Sequence, residues 1–293
     1  MSNIINKDLN NSENILNKFT IRYFGYNFTQ QGITNKLYIK FSSDNNEHEK
    51  TNNVLNDKQI YSLSKALNNE WLNSFHNIRY SLFEMCIREF AFDENVGFNF
   101  IDTKDFSYIS PQKIFEFLGD ESQPLIDIVS SIEKNMFNEM PAYNPIFIIG
   151  ATVNIDKIST LKSYIRFNPE ELPTPKDRIN LIKCIAKTIN YNESFLDNYS
   201  VLIEKLEKSG LIFSFIGVDY SLDGSKRFKL YFKSKEQNNY KKLLNAVSEI
   251  ISEYGLFDKL NHIFQKHSNG IWGIAISTDT FKSINGIQLY FYP

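Results

Sequence analysis

The chain has 293 residues, 42% of them hydrophobic and 23% charged, with a formal net charge of −2. This is the composition of a globular protein, and the near balance of charge argues against non-specific nucleic-acid binding, which asks for a basic surface. Two cysteines, Cys86 and Cys184, make neither a disulfide framework nor a metal cluster; no apolar run reaches the ~18 residues of a membrane-spanning helix; and the opening MSNIINKDLNNSEN has no signal-type apolar core, so a cytoplasmic protein with no membrane and no nucleic-acid partner is expected.

In chain order, residues 1–18 are polar and Asn-rich and read as a flexible or short helical N-terminus, with a helix near Glu13 to Phe19. Phe19 to Ser42 reads as a hairpin turned by QQGITN, with Gly32 as its positive-φ residue. After a charged loop, Ile60, Leu63, Leu67, Trp71 and Phe75 recur at helical spacing, predicting a helix over Asp57 to Phe83. A weak hairpin follows, up to Thr103. Ser110-Pro111 starts a helix, a further helix lies near Pro124 to Met136, and a hairpin runs from Pro145 to Phe167. Beyond three prolines come helices over Asp177 to Ile189 and Ser194 to Ser209, the second stopped by Gly210. A hairpin over Phe213 to Phe232 turns at Asp223-Gly224. Helices over Tyr240 to Glu253 and Phe257 to His267 then lead to a last hairpin, Ile271 to Pro293.

The order helix, helix, strand, strand thus repeats, and so does the chemistry of the strands. Alternate side chains of a strand face opposite ways. In KSYIRF, Lys162, Tyr164 and Arg166 share one face while Leu161, Ile165 and Phe167 share the other. In KRFKLYF the first set is Arg227, Lys229 and Tyr231; in KLYIKF it is Lys36, Tyr38 and Lys40; in IQLYFY it is Gln288, Tyr290 and Tyr292. The strand before each carries a glycine, at Gly25, Gly150, Gly217 and Gly273, with Asn27, Thr152, Asp219 and Ala275 two residues on. Glycine within a strand often marks close approach by another group, so this small, polar face is expected to join the Lys/Tyr face of its partner. The four tyrosines at 38, 164, 231 and 290 fit a repeat of about sixty residues with a weak member near Gly97 to Asp102.

On an open sheet a Tyr/Lys face would simply be solvated. If about ten antiparallel strands closed into a barrel, that face would line a lumen wide enough for a ligand. Lumenal Lys36, Lys40, Lys162, Arg166, Arg227 and Lys229 outnumber the one carboxylate, Asp219. Unpaired buried charge is costly, so such a lumen wants a polyanion such as a diphosphate. Tyrosine hydroxyls donate to the same anion, and tyrosine rings stabilise a cation. Together these are what ionising an allylic diphosphate and trapping its carbocation on an aromatic acceptor require.

The αββα units, the KSYIRFNP strand and the DYSLDGSKRFKLYF hairpin resemble the ABBA-type (PT-barrel) aromatic prenyltransferases. The resemblance covers about Phe19 to Pro293 and rests on strand pattern rather than an invariant signature. It implies an α+β fold, a ten-stranded antiparallel barrel surrounded by helices as one domain over residues 1–293. It also implies transfer of a dimethylallyl or geranyl group from its diphosphate to a phenol, indole or similar acceptor. In that family diphosphate-binding lysines stand on strands like these, pointing to Lys162 and Lys229, with Lys40, Arg166, Arg227, Tyr164, Tyr231 and Tyr290 completing the anion site. Tyr38, Tyr164, Tyr231, Tyr290 and Gln288 would wall the prenyl and acceptor pocket. Some relatives keep an Asp for Mg²⁺ where this chain has Tyr38 and Lys40, so no metal is expected to be required, Mg²⁺ being at most stimulatory. The Glu that indole- and peptide-modifying relatives carry on the first strand is missing from RYFGYNF, leaving Asp219 as the base candidate. A peptide-tailoring enzyme of the same fold and a non-catalytic barrel binding an anionic amphipathic ligand stay open as alternatives; a monomer is expected. His48, His76, His262 and His267 show no metal spacing and read as surface residues, and both cysteines as core thiols.

Overall fold

The computed structural model describes residues 19–41, 82–88, 95–101, 146–154, 157–166, 174–191, 196–221, 223–235, 240–251, 256–267, 270–278 and 286–293, with Gln123, Asp127 and Lys134 as isolated helical positions. The strands are β1 (Phe19–Thr29), β2 (Gly32–Phe41), β3 (Leu82–Arg88), β4 (Asn95–Ile101), β5 (Ile146–Asn154), β6 (Lys157–Arg166), β7 (Leu211–Ser221), β8 (Lys226–Ser234), β9 (Ile271–Thr278) and β10 (Gly286–Phe291). Each pairs antiparallel with its chain neighbours, and β1 pairs with β10, so the sheet closes into a barrel. Closure leaves no unpaired strand edge and turns one face of every strand into a lumen.

The apolar faces look outward. Phe28, Phe213, Phe228, Phe232 and Phe291 are fully buried there with Leu230, Ile274, Ile276 and Leu289. Helices α1 (Pro175–Thr188), α2 (Leu196–Lys208), α3 (Tyr240–Ile251) and α4 (Phe257–Lys266) precede the last two hairpins in pairs. α1 starts where Thr174 caps the Asp177 amide, with Pro175 behind it in the first turn. It buries Leu181, Ile182, Ile185 and Ala186, one face of the helix. Lys226 of β8 donates to the Ile189 carbonyl at the far end of that helix at 2.6 Å, and Tyr191 stacks on Phe228 with ring centroids 5.5 Å apart. α2 ends at Gly210, whose φ of 95° suits the left-handed position that follows a helix. Among the described residues no helix is long and apolar enough to cross a membrane.

The hairpin expected from Phe19 is formed by β1 and β2. Two sequence expectations change. Phe83, placed at the end of a helix by apolar spacing, lies in β3, where it pairs with Phe100; cross-strand pairing overrides local periodicity. The weak hairpin begins at Leu82, so Gly97 stands on its second strand, opposite Cys86 and Thr152. His267 is buried at 7% exposure rather than a surface residue. It follows α4, shares a 2.6 Å hydrogen bond with the Tyr26 hydroxyl and stacks on Phe291 at 4.8 Å, tying the helix to the outside of β1 and β10. His262 is exposed, and Cys184 is half-buried on α1. The expected loop and helices at 42–81 and 102–122, with His48 and His76, lie outside the described residues.

Candidate active site in the barrel lumen

Strand register assembles the lumen. On β7, Asp219 stands between Lys162 of β6 and Arg227 of β8, and Gly217 stands between Tyr164 and Lys229. On the other side of the barrel, Gly25 of β1 stands between Lys36 of β2 and Tyr290 of β10. Directly opposed residues of an antiparallel pair share a face. The glycine face and the Lys/Tyr face are therefore one surface, as their alternation in the sequence suggests.

The glycines are there for the rings. A Cβ on Gly217 would come within 2.9 Å of Tyr231 Cε2 and 3.1 Å of Tyr164 Cδ1. A Cβ on Gly25 would come within 2.8 Å of Tyr38 Cε2 and 3.2 Å of Gln288 Nε2. With no side chain at those positions, the tyrosines of the neighbouring strands lie flat across the backbone. Tyr23, Tyr38, Tyr164, Tyr231 and Tyr290 form one buried cluster, against which Phe215, Trp272 and Tyr292 pack. Ring centroids are 5.7 Å apart for Tyr164 and Tyr231, 4.4 Å for Phe215 and Tyr231, 5.4 Å for Tyr38 and Tyr290 and 4.9 Å for Tyr23 and Trp272. Tyr231 hydrogen-bonds through its side chain to both Tyr164 and Tyr290. Burial, then the negative charge of Asp219, pushes the Tyr231 hydroxyl far above its ordinary value; burial does the same to Tyr164. These phenols stay protonated, available as donors.

Next to the aromatic layer lies the charged one. Asp219 is 3% exposed. Its Oδ2 accepts from Lys229 Nζ at 2.6 Å and from Arg227 Nε at 3.0 Å and Nη2 at 2.5 Å. Burial alone would raise this carboxyl, but Lys229, Arg227 and Lys162 outweigh it and hold the group ionised well below the usual carboxylate range. Burial, then Arg227, pulls Lys229 well below the ordinary lysine value, with Lys162 and Lys36 adding to the effect against Asp219. Three cations thus crowd one carboxylate. Across the lumen, Lys36 Nζ donates to Gln288 Oε1 at 3.1 Å, and Gln288 Nε2 donates to the Tyr38 hydroxyl at 2.5 Å.

The structure brings together Lys36, Lys162, Arg227 and Lys229 with Tyr38, Tyr164, Tyr231, Tyr290, Gln288 and Asp219. Lys40 pairs in register with Thr20 and Glu84, and Arg166 with Ile146 and Phe215; both side chains lie outside the described residues. Lys229 has Asp219 as its partner at 2.6 Å. Asp219, expected as a base, is itself bound to two cations, which weaken its hold on a proton. Sequence reasoning missed Tyr23, Phe215 and Trp272. The first two stand two residues before Gly25 and Gly217 on the same alternation, a signal present in the sequence; Trp272 gave none.

No protein-family model matches the chain, and no curated protein matches it. Solved structures do match. AnaPT from Neosartorya fischeri aligns with a TM-score of 0.62 at 11% identity, over 93% of this chain and 78% of that one. The 6-dimethylallyltryptophan synthase from Micromonospora olivasterospora, in complex with DMASPP and Trp, aligns at 0.51 and 10% identity over 93% and 82%. A 6-dimethylallyl tryptophan synthase aligns at 0.52 and 11% identity over 93% and 81%. At such identities the likeness is one of fold, and the chain has the ABBA-type PT-barrel fold of these aromatic prenyltransferases.

Proposed function

We infer that this chain is an aromatic prenyltransferase that moves a short isoprenyl group from its diphosphate to an electron-rich aromatic acceptor. One observation carries the reading. Three of the lumenal cations stand two residues from a tyrosine on the same face, as Lys36 with Tyr38, Lys162 with Tyr164 and Lys229 with Tyr231, so the charged layer lies directly beside the aromatic layer. An allylic diphosphate laid along the barrel puts its anion among Lys36, Lys162, Arg227 and Lys229, and its carbon chain among the rings.

The chemistry follows from that placement. Preorganised cations stabilise the charge that develops on the departing diphosphate, and such stabilisation is commonly the largest catalytic term. The protonated Tyr164 and Tyr231 hydroxyls add donors. The faces of Tyr38, Tyr164, Tyr231 and Tyr290 shield the allylic cation from water and stabilise it through their π-electrons, until an aromatic carbon or heteroatom captures it. Lys40 and Arg166 join the anion site in this proposal. Reaction is proposed to need no metal, the lysines supplying the neutralising charge. The complex of the Micromonospora synthase with DMASPP and Trp supports dimethylallyl as donor and an indole as acceptor. The test is incubation with dimethylallyl and geranyl diphosphate and a panel of indoles, phenols and tyrosine- or tryptophan-containing peptides, reading pyrophosphate release and product mass. Pyrophosphate-free mixtures with no prenylated product across the panel refute the reading.

A further inference from the structure

Asp219 stands where a prenyltransferase lumen has least use for a negative charge. It is buried among the cations assigned to the diphosphate, at 2.6 Å from Lys229 and 2.5 Å from Arg227, with Lys162 opposite on β6. All three of its hydrogen bonds fall on Oδ2, and Oδ1 is buried with no partner. A carboxylate satisfied on one oxygen only is a poor structural anchor for its own sake. A diphosphate oxygen needs the donors that Oδ2 occupies, so the two anions compete for one set of N–H groups.

We propose that Asp219 is a built-in placeholder anion: it holds Lys229 and Arg227 in position while the lumen is empty, yields them to the incoming diphosphate, and reclaims them to expel pyrophosphate after transfer. The proposal rests on the diphosphate reading above. Asp219 acts through the two cations and is a positioning residue. Without it, Lys229 and Arg227 would lose their preorganisation, which slows capture, and a buried like charge beside the bound product would be gone, which slows release. The second effect dominates for pyrophosphate, which carries several negative charges into a site of low dielectric.

The experiment is calorimetric titration of inorganic pyrophosphate into the full chain and into Asp219→Asn, Asp219→Ser and Lys229→Met, with thermal melts to confirm folding. Asn keeps the shape of Asp219, and Ser keeps the variant set informative if the amide packs badly. Both Asp219 variants are expected to bind pyrophosphate at least tenfold more tightly than the parent, equivalent to about 1.4 kcal/mol, and Lys229→Met more weakly. In turnover, KM for the prenyl diphosphate and kcat are expected to fall together, with stronger inhibition by added pyrophosphate. Equal or weaker pyrophosphate binding in both Asp219 variants overturns the proposal while leaving the diphosphate site standing. A kcat that falls with unchanged pyrophosphate affinity also overturns it, since that is how a proton acceptor behaves. No saturable binding by the parent chain removes the diphosphate reading and this proposal with it.

Discussion

Replacing Gly217 by alanine asks how closely the tyrosine layer is fitted. The new methyl would lie 2.9 Å from Tyr231 Cε2 and 3.1 and 3.2 Å from two Tyr164 ring atoms. Ordinary contact needs several tenths of an ångström more. The rings have little room to give, since Tyr231 is 4% and Tyr164 8% exposed and Phe215 stacks on Tyr231. Overpacking of this kind costs about 1–3 kcal/mol. The smaller entropy of the unfolded chain returns ~0.4–1 kcal/mol, for a net loss of roughly 1–2 kcal/mol, a drop of a few degrees in Tm. Turnover falls more than stability does, by about a hundredfold, because a reacting centre displaced by a fraction of an ångström to an ångström loses its alignment. Gly224→Ala is the control. Its φ is +82° and nothing lies within 4 Å of the new methyl, so it strains the β7–β8 turn by about 1 kcal/mol and leaves turnover alone. Denaturant titration and steady-state kinetics on both variants decide the matter. Native stability and native turnover in Gly217→Ala would show that the rings are not seated by that glycine.

Lys229→Met removes one of the two side chains that donate to the buried Asp219 and leaves Arg227 as the other; it should cost about 1–3 kcal/mol in denaturant titration and on the order of a hundredfold in turnover, and full activity removes Lys229 from the anion site. Turnover should survive excess EDTA, since lysine and arginine neutralise the diphosphate; complete loss restored by Mg²⁺ would refute the metal-free proposal. Burial, then Lys266, lowers the His267 pKa from 6.5 to about 4, so the unfolded chain takes up a proton first as pH falls. Stability is therefore full above about pH 6.5 and is lost between there and pH 4, by up to ~3 kcal/mol; urea midpoints across that range should flatten in His267→Gln, and an unchanged pH profile in the variant assigns the slope elsewhere.

Alternation was enough to read much of this architecture. An apolar face that runs Phe228, Leu230, Phe232 must be covered, and a face that runs Lys229, Tyr231 must meet something other than helices, because only one of them repays burial against apolar surface. The glycine-to-tyrosine match was legible for the same reason: a strand that keeps glycine at a fixed offset from its partner's large rings declares where those rings lie. Turn chemistry at Gly32 and Asp223-Gly224 fixed the hairpin phases. What could not be read was who neutralises whom. Asp219 and Lys229 are ten residues apart in the chain, and counting cations against carboxylates treats each as isolated. The pairing depends on Arg227 and Lys162 standing in register on both sides of β7. Likewise, His267 ends an amphipathic helix in the sequence. Its burial comes from Phe291 and Tyr26, which lie on strands from opposite ends of the chain that closure alone brings together.

The aromatic layer shows why alternation also fails, and the failures share one cause. Among the described residues, register shifts fall between Ile21 and Tyr23 on β1, between Phe213 and Phe215 on β7, between Tyr290 and Phe291 against β9, and between Thr152 and Val153 against β6. The first three are near the start of the first strand of a hairpin and add an unpaired residue, which is how a β-bulge reverses the phase of a strand. On β7 strict alternation would put Phe213 and Phe215 on one face. The bulge at Ser214 instead lets Phe213 pack outward against Phe232 at 5.4 Å while Phe215 enters the lumen against Tyr231. On β9 strict alternation would send Trp272 outward with Ile274. The shift leaves it unpaired beside Gly273, which has no room for a side chain against the Phe232 carbonyl, and the indole turns in to meet Tyr23 and Tyr290 at 4.9 and 5.5 Å. Bulges of this kind carry no residue signature strong enough to place from one sequence. The shift at Ser214 lets β7 cover the outer core with Phe213 and line the lumen with Phe215, and the shift at Trp272 adds the indole to the same layer. The charged layer of the site and the tyrosines beside it are therefore set by regular register, and Trp272 joins them by a departure from that register.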